Sequence, residues 1–246
     1  MTNAAFFVGA PLWFEEKFQI YPPQIRDVTT KPHYFQWVKI LTMSQEEIED
    51  ELHEELGPTD AFPTPLEFFL NNCYHSDLYR NLAVEAFKFF THLDVSILYE
   101  QKKLVLGDIE DVVKKAKSID DLIILDEQNF FAFQNLIRDS IGDAQIEPPN
   151  PNEDPRVKRI KAKARYRDKV KAKQGLGIRL NTTLASICCM GLGITPLNIG
   201  EMSYAAVGPL MRTYQEKEKY EIDVRSLQAG ADSKKIKPKY WIRNLD

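Results

Sequence analysis

Cysteine is scarce in this chain: there are three, Cys73, Cys188 and Cys189. An odd number with one vicinal pair builds no disulfide framework and points to a reducing compartment. Histidine is nearly as rare, at His33, His53, His75 and His92. Cys73 and His75 stand two apart, but no second Cys/His pair lies at zinc spacing. Cys73 therefore reads as a buried thiol, His75 as a surface or core histidine, and no metal is expected. The vicinal pair falls in an apolar segment with no base nearby in sequence, so core packing is the expectation for both thiols. Glycine is too sparse for a phosphate loop. Gly175/Gly177 and Gly191/Gly193 are lone pairs without a third glycine, and GxxxxGK[ST] is absent. No GxSxG nucleophile elbow occurs. No cofactor is expected, and the chain reads as a non-enzyme. Carboxylate pairs such as Asp108 and Glu110 look like helix-start charges, although carboxylate separation is unreadable without a fold. Long hydrophobic runs are missing too. The longest, residues 184–194, has 11 residues, short of the about 20 that span a bilayer. The opening MTNAAFFVGAPLWFEEK has no cationic start and no long apolar stretch, so it does not read as a secretory leader. The expectation is a cytoplasmic, soluble protein without a membrane partner.

What the chain does have is an ample core. Its 246 residues are 43% apolar, with 14 Phe, 10 Tyr and 3 Trp. A chain of this size buries roughly 70–75% of the surface that its unfolded form exposes.

Periodicity predicts a short hairpin over 12–21, ended by Pro22 and Pro23, which donate no ladder hydrogen bond. Tyr34, Trp37, Val38 and Leu41 form a helical stripe. Ser44 to Glu47 has capping-box spacing ahead of an acidic helix over about 45–56. Thr64-Pro65-Leu66-Glu67 starts a helix with Leu66, Phe69, Leu70 and Cys73 buried. A helix over 78–91 is expected to turn Leu82, Ala86 and Phe89 to the core. A second hairpin covers 95–106, and a helix covers 108–117, with Ser118 to Asp121 as the cap of a further turn. Asp126 reads as the cap of a helix carrying Phe130, Phe133, Leu136, Ile137 and Ile141, stopped by Gly142.

Four prolines fall between Ile146 and Pro155, which marks an extended connector. Helices over 180–192 and 206–227 follow, the second ending near Gly230. The expected fold class is mainly α with two short β-hairpins (α+β). It has an N-terminal mixed domain over 1–145, a proline-rich connector and basic helix over 146–177, and a small C-terminal helical unit with a basic, aromatic tail over 178–246.

Charge is laid out unevenly. Residues 156–173 hold ten Lys or Arg and one acid, Asp168, a net of +9. The net charge of the chain is −4, so the remainder sums to −13. Residues 46–55 hold seven acids and no Lys or Arg. Lys, Arg and Ala favour helix for the basic run. A two-residue step turns about 200°, so its cations wrap the cylinder, leaving only Val157, Ile160 and Ala164 as a weak apolar stripe. Such a helix is expected to stand clear of its own globule. Three readings are open: a solvated linking helix, a docking element for an acidic protein surface (residues 46–55 of a neighbouring copy, or another protein), or a phosphate-backbone binder. One aromatic, Tyr166, and a pI of about 5.7 weigh against nucleic acid. The candidate binding residues are Arg159, Lys161, Lys163, Arg165, Arg167, Lys169, Lys171 and Lys173. Tyr240, Trp241 and Arg243 join them in a tail that either docks on a partner or packs back on the C-terminal helices.

Three stretches carry a family resemblance. QIYPPQIRDV follows the first hairpin and leads to a helix ending ILTMSQEEIEDEL; TPLEFFLNNC opens another; SYAAVGPLMRTYQEKEKYEIDVRSL precedes AGADSKKIKPKYWIRNLD. In style these resemble the tail assembly chaperones of tailed bacteriophages. The resemblance implies a non-enzymatic factor that self-associates around a long helical tape-measure protein, shields it, and recruits tail-tube subunits. Residues 1–145 would then bind the tape measure and residues 178–246 would recruit. It also implies work in the host cytoplasm. The alternatives are a structural tail or baseplate component of the virion, or a nucleic-acid-binding protein acting through 156–173. The short forms of that family are much smaller than this N-terminal region.

Overall fold

The computed structural model describes residues 4–56, 62–107, 123–146, 153–173, 180–232 and 234–240, with the backbone alone at 53–56, 155, 158, 159, 168, 169, 172 and 173. The fold is mainly α with two small antiparallel sheets, as expected. Helix α1 (Ala4–Phe7) leads into the hairpin β1 (Leu12–Phe14) and β2 (Phe18–Ile20), in which Leu12 pairs with Ile20 and Phe14 with Phe18. The charged turn takes positive φ at Glu15 and Glu16. Phe14, Phe18 and Ile20 point inward.

Helices α2 (Ile25–Thr30), α3 (Tyr34–Thr42), α4 (Gln45–Leu56), α5 (Pro65–His75) and α6 (Asp77–Thr91) follow. The Ser44 box forms: Ser44 N–H donates to Glu47 Oε2 at 2.8 Å, and Glu47 N–H to Ser44 Oγ at 3.3 Å. In α6 the buried row is Ala83, Ala86, Phe87 and Phe90. Ala86 is buried as expected, while Leu82 and Phe89 face the core only at its edges, half-buried against it. The helix carries apolar residues on more than one row, and packing against α3 and α5 selects the phenylalanines.

The second hairpin acquires a third strand that the sequence did not suggest. β3 (Val95–Leu98), β4 (Lys103–Leu106) and β5 (Ile123–Leu125) form one antiparallel sheet with β4 central. Leu104 pairs with Ile97 and Leu125, and Leu106 with Val95 and Ile123. The expected helix over 108–117 and the turn at 118–121 lie outside the described residues.

Helix α7 (Phe130–Ser140) starts four residues after the expected cap. Asp126 shapes the preceding turn instead. Its carboxylate accepts from Gln128 N–H at 3.0 Å, and its carbonyl from Phe130 N–H at 2.9 Å. α7 is fastened to the end of α3 by polar groups. Buried Gln134 donates to Met43 O at 3.0 Å, and Arg138 to Thr42 O at 3.0 Å. Helix-end carbonyls without intrahelical partners are satisfied in this way.

The basic run is helix α8 (Pro155–Lys173). α9 (Leu180–Cys188) and α10 (Val207–Gln228) follow, with single 3-10 turns at Ile199–Glu201 and Tyr204–Ala206 between them. The C-terminal segment knits into the N-terminal part. Ile25 N–H donates to Met202 O at 3.0 Å, and Tyr204 N–H to Pro23 O at 2.9 Å. Buried Ser203 Oγ donates to Phe6 O at 2.5 Å. Ile25 of α2 packs in one apolar cluster with Ile187, Met190, Ile199 and Val207. The proline pair that ends β2 thus leaves a carbonyl that Tyr204, far along the chain, takes up.

One local prediction follows from the start of α5. Thr64 and Glu67 satisfy each other's backbone N–H groups at 3.2 Å, and Lys102 Nζ donates to Glu67 Oε1 at 2.7 Å. The Lys102 hydrogen bond, and next the Thr64 N–H, hold the Glu67 carboxyl below the usual carboxylate range. A lowered folded value means that the stabilisation is present above the unfolded value and is lost as pH falls through the folded one. Glu67→Gln keeps the capping-box geometry and gives up the exposed Lys102 pair, so it is expected to cost about 0.3–1 kcal/mol near neutrality and progressively less at acid pH. Urea unfolding at neutral and acid pH measures it; a loss of equal size at acid pH would contradict the carboxylate's role.

Candidate interaction surface

The basic helix gets its local form from composition. Lys, Arg and Ala are good helix formers, and Pro155 suits a first helical position. Its apolar residues do not bury: Val157 is 42% and Ile160 68% exposed, and Tyr166 is exposed as well. The helix does not stand clear of the globule, which corrects that expectation. Arg165 reaches α4 of the same chain. Its guanidinium holds Asp50 through Nε at 2.8 Å and Nη2 at 3.3 Å, and Glu46 through Nη1. Glu46 and Asp50 are one helical turn apart, so their carboxylates share one face and fork around a single guanidinium. The Arg165 side chain is only 24% exposed, and the Asp50 hydrogen bond, followed by the charges of Asp50 and Glu46, holds its proton more tightly than usual.

The acids of α4 are shared among three helices of their own chain. Besides Arg165, Arg138 of α7 lies 3.9 Å from Glu47, and Lys39 of α3 lies 3.0 Å from Glu51. The charge complement between 46–55 and 156–173 was legible as opposite runs. Its closure within one molecule was not, because sequence carries no distance between them.

The other expected binding residues divide. Lys161 meets Glu153 at 2.7 Å, just before the same helix. Lys163, Arg167 and Lys171 are exposed and pair with no carboxylate among the described residues, and the same holds for Arg156, which was not among the expected binding residues. The side chains of Arg159, Lys169 and Lys173, and all of Trp241 and Arg243, lie outside the described residues. Tyr240 packs edge-on against Tyr220 of α10, ring centres 5.6 Å apart, so this part of the tail folds back rather than projecting. The structure therefore does not bring the tail and the basic helix together as one described patch.

The residues considered for chemistry stay apart. Cys73 is fully buried and His75 exposed. Burial pushes the Cys73 thiol up to about 12 against a smaller opposing pull from Arg80. Cys188 packs half-buried against the apolar cluster of Ile25 and Ile187, whereas Cys189 is exposed at the end of α9, which corrects the expectation of core packing for that thiol. The helix stops at Cys188, so the stripe that buries Ile187 does not extend to Cys189. In the native protein a small alkylating reagent is expected to modify Cys189 and spare Cys73, whose thiolate is both rare and shielded. Peptide mass mapping before and after unfolding reads this directly, and native labelling of Cys73 would contradict its burial.

Among the described residues, no group of three or more His, Cys, Asp or Glu side chains is placed to hold a metal ion. No helix among them is long and apolar enough to cross a membrane. No protein-family model, curated protein or solved structure matches the chain.

Proposed function

We propose that this protein is a non-enzymatic assembly factor of the bacteriophage-tail kind. It binds and shields a long, aggregation-prone tape-measure protein and helps recruit tail subunits, acting in the host cytoplasm. The resemblance of the three sequence stretches supplies the tail context. The observation that carries the interaction role is α8, a 19-residue helix tied to the globule by a guanidinium clamp while its Val157, Ile160 and Tyr166 face solvent. The clamp is a half-buried charge pair rather than an apolar seam, so it weakens with salt and leaves the outward side of the helix open to a partner. Shielding apolar helix stripes from premature association is the physical service that an assembly factor of this kind performs.

The test begins with the neighbouring gene. A very long helical reading frame beside this one is expected, and its product should stay in the soluble fraction when co-expressed with this chain and aggregate without it. Light scattering at low and high salt should show salt-sensitive self-association. A strict monomer at both salt levels, together with no rescue of the long helical product, overturns the proposal.

A further inference from the structure

Helical position sorts the cations of α8 (Pro155–Lys173) into two sides. At about 100° per residue, Arg156, Lys163, Arg167 and Lys171 fall within an arc of about 80° that runs for about 22 Å along the axis. All four are exposed and without a carboxylate partner among the described residues. Arg165, clamped to Glu46 and Asp50, lies about 160° round from the middle of that arc. Lys161, which meets Glu153, is also well outside it. Among the described cations of the helix, Arg165 is thus spent on α4 and Lys161 on Glu153, while the four in the arc keep no carboxylate partner among the described residues.

The bare side is not purely ionic. Ile160, 68% exposed, sits inside the arc, and Ala164 and Val157 continue along its edge, both exposed. Tyr166 is about 100° away from its middle.

We propose that this side of α8 is a docking face for an acidic amphipathic helix of a different protein, with carboxylates about a turn apart and an aliphatic residue between them. This rests on the assembly-factor reading and names the chemistry of the partner. Three observations favour that occupant. On the opposite side of the same helix one cation, Arg165, already engages carboxylates a turn apart, Glu46 and Asp50, so an acidic helix face matches the spacing that a cation of this helix takes up. The aliphatic centre at Ile160 is matched by an apolar side chain and by nothing on a phosphate backbone, and no aromatic lies in the arc to stack a base. A second copy of this chain is a poor fit, because Glu46, Glu47, Asp50 and Glu51 of α4 already face Arg165, Arg138 and Lys39.

The probe is a synthetic, dye-labelled helical peptide with Glu at i, i+4, i+7 and i+11 and Leu between them, titrated with the full chain by fluorescence anisotropy. Binding is expected at about 50 mM salt and should weaken at about 200 mM. Reversing the bare side, with Arg156→Glu, Lys163→Glu, Arg167→Glu and Lys171→Glu together, is expected to weaken it at least about tenfold. Ile160→Asp should weaken it, whereas Arg165→Ala should change it less than about threefold. Circular dichroism checks that α8 persists, and the four-fold Gln variant repeats the comparison without added repulsion. The inference is overturned by unchanged peptide binding in both four-fold variants. Labelled duplex DNA binding more tightly than the peptide also overturns it, as does charge reversal dissolving a dimer in light scattering. Co-expression separates the two proposals. If the reversed variant still keeps the long helical product soluble, the docking face is wrong and the assembly role stands. If the unaltered protein fails to do so while binding the peptide, the reverse holds.

Discussion

Phe133→Ala is expected to lower the stability of the protein by about 3–5 kcal/mol, the range for deleting a fully buried aromatic ring. Phe133 of α7 stacks on Phe87 of α6 at 5.3 Å and 7°, and meets Phe14 edge-on at 6.0 Å. Phe18 and Phe130 complete the cluster at 6.3 and 6.1 Å. The ring therefore joins the first hairpin to two helices from the middle of the chain. Its removal leaves a void that none of these elements can close without breaking other contacts. Urea unfolding followed by far-UV circular dichroism gives the value, and Phe133→Leu should lose clearly less because most of the volume stays. A midpoint for the alanine variant close to that of the parent would mean that the ring is not central to the core.

The second large effect is expected at Gly142→Ala, with a loss of about 2–4 kcal/mol from backbone strain and overpacking together. Gly142 ends α7 with φ of +76°, a conformation unfavourable to side chains. A Cβ there would lie 3.0 Å from Ala205 O and 3.1 Å from Ala205 Cα, which are backbone atoms of the 3-10 turn and cannot rotate away. The substitution therefore presses the C-terminal segment off the N-terminal part. Gly208→Ala is the matched control. Its added Cβ meets nothing within 4 Å, and it lies in the first turn of α10 ahead of Pro209, so it should change stability by less than about 1 kcal/mol. Thermal unfolding of both variants beside the parent makes the comparison, and equal behaviour of the two would refute the close approach at Ala205.

The joint at Gly142 also shows where reading the sequence stopped. Gly142 was legible as a helix stop, since an apolar stripe ends there. That it must be glycine because Ala205 lies against it was not, for the two are far apart in sequence. The same division runs through the candidate surface. The run 156–173 was legible as a cationic helix. Which of its cations are spent on α4 and which remain bare depends on the rotation of α8 about its axis, and Arg165 alone among the described cations takes the clamp. The strand β5 escaped because three residues, Ile123–Leu125, carry no alternation by themselves and become a strand only by pairing with β4.

By itself the sequence determined the local elements with strong signals: the hairpin closed by Pro22 and Pro23, the capping boxes at Ser44 and Thr64, the stripes of α3 and α5, and the helical basic run. These depend on neighbours within a few residues, where propensity, capping and hydrophobic period act. Tertiary structure decided which row of α6 is buried, how the C-terminal turns pair with Pro23 and Ile25, and which side of the basic helix is left open. Those outcomes turn on contacts between distant segments, where burial and charge pairing select among arrangements that local preference leaves equal.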